Sequence, residues 1–256
     1  MRFLSFWPAS AVIFVGVTAA TFFVNEYYVV AGYMVLQGLI MATAWNILGG
    51  FTGYVNFGSA GFFALGAYTS VVLYTAIDPP LFVVIPAAAV VCGLLGLGAG
   101  YLTLRLRGVY FAIATLALAI VLETLMVNWE YVGGATGAFI ITPDAPFFTS
   151  YNAFLFVIML ALAIGSVGLA RYLNHSRIGR GLAAIRDDEV AAECAGVPTL
   201  RLKLISTTVM GAMMGVAGSL YPYFVTFVEP LSAFNLIVAV NAIAMPMIGG
   251  TSSWIG

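Results

Sequence analysis

The chain has 256 residues, of which 62% are hydrophobic and only 7% charged, and its formal net charge is −1. A water-soluble domain carries roughly half apolar and about a quarter charged residues, so this chain has too few polar residues to coat a core of that size. There is no basic tail or stripe, and so no electrostatic footprint for nucleic acid.

Residues 3–25, 27–77, 79–104, 145–170, 204–228 and 230–256 contain no Asp, Glu, Lys or Arg. About 20 apolar residues cross a bilayer core as a helix, so each of these runs is long enough for one crossing and residues 27–77 for two. The expected fold is all-α: a polytopic membrane helical bundle of about eight transmembrane helices. Their predicted positions are 8–25, 28–48, 56–77, 81–103, 108–128, 151–172, 203–227 and 234–254. The first is read as a retained span rather than a signal peptide, because its apolar run is about twice a usual h-region and lacks a closing small-x-small site. The stretch 48–58 is an uncharged turn that either leaves the membrane or dips into it. Asp78-Pro79-Pro80 breaks the chain between the third and fourth spans, and residues 129–150 form the longest external loop. Cys92 and Cys194 fall at different depths and are not expected to pair. Trp7, Trp45, Trp129 and Trp254 all lie near predicted span ends, the usual interfacial positions. Gly96 and Gly100, and then Gly211, Gly215 and Gly218, recur at the spacing of close helix packing. Packing inside the bundle is the first reading of them, and a dimer seam the second.

Cations fix the expected orientation. With a cytoplasmic N-terminus, Arg2, Arg105, Arg107, Arg171, Arg177, Arg180, Arg186, Arg201 and Lys203 all fall inside, while Glu26, Asp78, Glu130, Asp144 and Glu229 fall outside. Such an excess of Lys and Arg on one side is the main determinant of membrane topology. It places both termini in the cytoplasm; the resemblance given below implies in addition the cytoplasmic (inner) membrane of a prokaryote.

One stretch departs from this charge-poor pattern. Ser176–Gly196, SRIGRGLAAIRDDEVAAECAG, holds seven of the nineteen charged residues and lies in the expected cytoplasmic loop 173–202. Asp187 or Asp188 can cap a short helix beginning near Glu189, and Gly196 followed by Pro198 can stop it. Two readings are open: a solvated loop whose cations set topology, or a docking element for a cytoplasmic partner. Topology needs the cations but not four acids, an alanine run and a helix stop, which favours docking.

The segment AIRDDEVAAECAGVPTLRLKL resembles the cytoplasmic loop of permease subunits of bacterial branched-chain amino-acid ABC importers. Ala191, Ala192 and Gly196 keep the Glu-Ala-Ala-x-x-x-Gly spacing of importer coupling loops, with Val190 in place of the glutamate. LGGFTGYVNFGSAGFFALGAYTS, LRGVYFAIATLAL, GGATG and MGAMMGVAGSLY are similar to further segments of that family, in the same order. Many relatives carry an acid where this chain has Ile120, and its own acid is Glu123. GGTSSWIG resembles a family signature after which relatives continue, so a shortened C-terminus is expected. The resemblance implies one permease domain over 1–256, coupled through residues 176–198 to separate ATP-binding-cassette ATPase subunits. Arg180, Arg186, Asp187, Asp188, Glu189, Ala191, Ala192 and Gly196 would form that contact, the acids and Arg186 at its rim. It also implies a second permease subunit, an extracytoplasmic solute-binding protein and a cargo of branched-chain or related hydrophobic amino acids. Urea or short amides are the alternative cargo. A stand-alone carrier or channel is the rival class, against which the absence of a convincing internal repeat counts.

No catalytic constellation is present. Lys203, the single lysine, has no glycine-rich phosphate loop before it, so ATP and Mg belong to the partner and this chain is expected to bind no cofactor. His175 stands alone beside arginines, and no metal site is expected. Glu123 is the one acid well inside a predicted span, where ionisable residues are costly. It either lines the translocation path or serves structurally near the external end. Gln37, Asn46, Asn56 and Asn241 are further path candidates, with helix–helix hydrogen bonding the commoner role for such residues.

Overall fold

A computed structural model describes residues 6–103, 106, 108–141 and 150–251. Arg2, Arg105, Arg107, Asp144, Trp254 and the end of GGTSSWIG lie outside these residues. The helices are α1 (Phe6–Ala20), α2 (Glu26–Thr52), α3 (Ser59–Ile77), α4 (Leu81–Thr103), α5 (Val109–Val127) and α6 (Tyr151–His175). They continue with α7 (Arg177–Asp187), α8 (Glu189–Cys194), α9 (Thr199–Ser219), α10 (Tyr221–Val225), α11 (Pro230–Ala233) and α12 (Leu236–Gly249).

Among the described residues, seven helical segments are long and apolar enough to cross a membrane, with α9–α10 and α11–α12 each counted as one. The first expected span is shorter than read: α1 has 15 residues and ends at Ala20, a length of about 22 Å at 1.5 Å per residue. The second span is longer, running to Thr52 before Gly53 (φ +77°) closes it by donating to the Gly49 carbonyl. Its last turn, including Gly49 and Gly50, is buried, so tertiary packing overrides the weak helix propensity of glycine there. Trp45 therefore lies inside the bundle and is not an interfacial anchor, its indole nitrogen donating to the Asn56 carbonyl at 3.0 Å. The seventh span breaks at Leu220, and α10 ends on Thr226 (φ +64°).

α9 is the axis of the bundle. It runs antiparallel to α4, since Gly93 faces Thr208 and Ala212, Gly96 faces Thr207 and Thr208, and Gly100 faces Leu204 and Thr207. On its other side Gly215 meets Gly66 of α3 backbone to backbone, and Gly218 meets the Phe63 carbonyl. The recurrent glycines thus pack helices of this chain against one another. In a solvent of hydrocarbon, where apolar burial drives little association, close backbone approach is what holds such helices together. Gln37 Nε2 adds a cross-link, donating to the Ala217 carbonyl at 3.2 Å.

Connections gather at two ends. Six described cations, from Arg171 to Lys203, stand at one end with α7, α8 and the start of α9, while Glu26, Asp78, Glu130 and Glu229 stand at the other. At the acidic end Asn152 Nδ2 donates to Glu26 Oε1 at 2.8 Å. There the loop after α5 is more ordered than its sequence suggests. It forms two short 3₁₀ turns and a strand, β1 (Ala138–Phe139), paired antiparallel with β2 (Phe227–Val228). Gly133, Gly134 and Gly137 all take positive φ, which is why that loop is written GGATG.

A Cβ at Gly66 would meet the Gly215 backbone, whereas one at Gly98 would meet nothing within 4 Å. Gly66→Ala should therefore destabilise the purified protein by about 1–3 kcal/mol, and Gly98→Ala should not. Thermal unfolding in detergent checks both.

Candidate functional site: the platform at the basic end

Ser176 starts α7 by accepting from the Gly179 amide at 3.2 Å, and Gly179, Leu182 and Ile185 form its buried stripe. That stripe lies against α2, α6 and α9, leaving Arg177 and Arg180 exposed on the opposite face, while Arg186 falls beside the stripe. Asp188 Oδ1 then caps α8, accepting from the Val190 and Ala191 amides at 2.9 and 3.0 Å. Gly196 (φ +82°) ends it, with the Gly196 amide donating to the Glu193 carbonyl and the Val197 amide to the Ala192 carbonyl. The capping acid and the stopping glycine fall where the residue pattern put them. Of the two alanines, Ala192 is buried and Ala191 exposed. Asp187, Asp188 and Gly196 are also exposed, so the outward surface is an alanine–glycine patch among charges.

Glu189 does not join that outward face. Its Oε1 accepts from Lys203 Nζ at 2.6 Å and its Oε2 from the Tyr54 hydroxyl at 2.5 Å. Lys203 Nζ also donates to the Tyr54 hydroxyl at 3.3 Å and stands 4.7 Å from that ring's centroid. The Lys203 side chain is 4% exposed and that of Glu189 14%. A shielded ammonium needs a partner, because removing a charge from water costs several kcal/mol. Lys203, read from sequence as a topological cation at a span start, is instead one turn inside α9 and bolts α8 onto it. Tyr54 was not singled out in the sequence, where nothing but its place in LGGFTGYVNFG marks it. The Tyr54 ring in turn meets Phe111 of α5 edge-on at 5.1 Å. Arg186 Nη1 donates to the Gly50 carbonyl at 3.4 Å and its Nε stands 3.6 Å from Asp187.

The α2–α3 connection carries this platform into the bundle. Tyr54, Asn56 and Gly58 are buried, and their polar groups are satisfied within the protein. The Phe57 amide donates to Thr115 Oγ1 at 3.2 Å and the Gly58 amide to Asn56 Oδ1 at 2.7 Å, while Asn56 Nδ2 donates to Met210 Sδ at 3.4 Å. The turn thus begins level with Lys203 and delivers α3 beside Met210, about 10 Å further along α9. The turn is packed into the bundle at Tyr54, Asn56 and Gly58, while Gly53 and Val55 stay exposed. Non-helical backbone at such depth is tolerated only where protein covers it.

The polar path candidates do not form one group. Gln37 and Asn241 line the same cavity of ≈ 200 Å³ between α2 and α12. Asn56 serves the turn just described, and Asn46 is buried on α2 against Gly50. Glu123 lines a separate cavity beside α5. His175 Nδ1 pairs with the Arg171 carbonyl at 2.9 Å.

Residues 27–256 match the family described as the permease component of branched-chain amino acid transport systems, and the chain belongs to that family. It is 28% identical to LivM of Salmonella typhimurium, a high-affinity branched-chain amino acid transport system permease protein, over 91% of this chain and 60% of that protein. It is 28% identical to the Escherichia coli LivM over 84% of this chain and 56% of that protein. A probable branched-chain amino acid transport permease protein, LivH of Methanocaldococcus jannaschii, is 23% identical over 88% of this chain and 75% of that protein. The chain spans less than two thirds of the length of either LivM relative. No solved structure matches it. Family and helices together define a multi-pass inner-membrane permease component.

Lys203→Met leaves the Glu189 carboxylate shielded and unpaired, and should cost about 3 kcal/mol. Adding Glu189→Gln should recover most of that loss. A double-mutant cycle on unfolding in mixed micelles measures the coupling.

Proposed function

We propose that this chain is the membrane-spanning subunit of an ATP-driven importer for branched-chain or related hydrophobic amino acids. In this reading its termini are cytoplasmic and a second permease subunit completes the path. A solute-binding protein delivers cargo at the acidic end, and ATPase subunits, which use ATP and Mg, dock on α7 and α8. The observation that carries the reading is the platform at the basic end. Its exposed side is a small-residue patch ringed by Arg180, Arg186, Asp187 and Asp188, a surface on which a complementary groove can seat. Its inner side is bolted by Lys203 to α9 and to the turn that starts α3. A push on α8 thus reaches the axial helix through a short ion pair rather than through a loose loop.

The backbone shapes of the two ends fit this division of labour. α7 and α8 meet at Asp188, which is extended (φ −159°) and caps α8, so the pair forms a bent, prestiffened element. Stiffness lets a partner's movement be transmitted instead of absorbed.

The test is ATP-dependent leucine uptake in proteoliposomes holding this chain with the ATPase subunits, second permease and binding protein. Ala191→Arg places a bulky cation on the outward patch without touching the core. It should abolish co-purification with the ATPase and reduce uptake at least about tenfold, equivalent to 1.4 kcal/mol of docking energy, while thermal stability is unchanged. Asp187→Lys should act in the same direction. Full ATPase association and uptake in both variants would show that the partner docks elsewhere.

A further inference from the structure

Glu123 is the one acid of α5, a helix otherwise made of apolar residues and threonines. It is half-buried and has no hydrogen bond or ion pair among the described residues, unlike Glu26, Glu189 and Glu193. It lines a cavity of ≈ 320 Å³ whose walls include Ala60, Leu116, Ala119, Leu231 and Phe234. Asn235 lines it too. Asn235 Oδ1 caps α12 by accepting from the Ile237 amide at 2.9 Å, which leaves the amide NH₂ as a donor. Leu236, in the first turn of α12, completes the wall, so the partial positive charge of that helix N-terminus adjoins the same cavity.

A second and larger cavity, of ≈ 570 Å³, lies toward the platform and is lined by Val109, Ala112, Arg186 and Glu189. Phe57 lines both cavities. Val109 and Ala112, then Leu116, Ala119, Ile120 and Glu123, follow helical spacing along one face of α5. The two cavities are therefore successive compartments on one helix face, with Phe57 shared between their walls.

We propose that the Glu123 cavity is a transient seat for a zwitterionic amino acid with an apolar side chain, on its way to the platform compartment past Phe57. Glu123 takes the ammonium group, and Asn235 with the start of α12 faces the carboxylate. The apolar walls hold the side chain. A carboxylate in a mainly apolar enclosure gains most from a cation brought with the cargo, since a charge-assisted contact there is stronger than a neutral one. Urea or a short amide offers Glu123 neutral N–H donors but no opposite charge, so the site favours the amino-acid cargo. This assignment rests on the importer reading above.

The complete importer in proteoliposomes provides the first measurement. Glu123→Gln should lower leucine uptake about tenfold to a hundredfold, the loss expected on removing one charge-assisted contact. Ile120→Trp, which narrows the cavity from its exposed side but keeps the carboxylate, should do the same, and both variants should still co-purify with the ATPase subunits. The second measurement uses the purified chain in detergent with 3-methylbutylamine or the uncharged 3-methylbutanol. The amine should raise the unfolding midpoint of wild type but not of Glu123→Gln, and the alcohol should shift neither.

Wild-type uptake in both variants without an amine-specific shift would overturn the site, and if Ala191→Arg still stopped uptake the importer reading would stand. An amine-specific shift in a wild-type importer that moves no leucine would overturn the importer reading and leave an ammonium site.

Discussion

A primary ammonium enclosed by protein has to be answered by a negative charge, and at Lys203 that requirement organises one end of the molecule. The partner comes from α8, fourteen residues earlier, and a phenol from the α2–α3 turn completes the shell. Three segments that are far apart in sequence are thereby held at one point. The cost of separating them is electrostatic as well as steric, because opening the contact would strand a shielded carboxylate. The surface helices are in this way part of the bundle rather than an appendage to it.

The interior is joined differently. α9 meets α4 and α3 across glycines, with backbone against backbone at Gly66–Gly215, Gly96–Thr207 and Gly218–Phe63 and short side chains filling the rest. Contacts of that kind do not deform by degrees, and packed interiors shift between discrete arrangements rather than bending. Charge fastens the platform to the axial helix, and backbone contact fastens the axial helix to its neighbours. Together they make a continuous stiff route from exposed alanines to the middle of the chain.

Much of this was legible in the residues. Charge-free runs located the spans, and the segregation of Lys and Arg agreed with the two ends of the structure. The acid before EVAAECAG and the glycine after it marked the ends of α8, because capping is local chemistry. What escaped notice was non-local. Nothing near Tyr54 or Lys203 announces that they share a carboxylate, since their meeting depends on how α2, α8 and α9 pack. Trp45 looked interfacial because the helix seemed to end at Leu48, and the buried Gly49-Gly50 turn that extends it is held by tertiary contacts rather than propensity. The β1–β2 pair was invisible for the same reason: two residues carry no alternation to read. Glu123 was legible as an anomaly, but its cavity is assembled from α3, α5, α11 and α12.

That small β pair has a consequence of its own. The hairpin-like loop behind α5 is stitched to the link between α10 and α11 by Ala138 and Phe139 facing Val228 and Phe227, and the two phenylalanine rings lie 4.6 Å apart. The pairing ties the segment that follows α5 to the segment that follows α10 at the acidic end. Because β2 follows α10 with one residue between them, a displacement of the axial helix toward that end is passed across the strand pair to the loop behind α5.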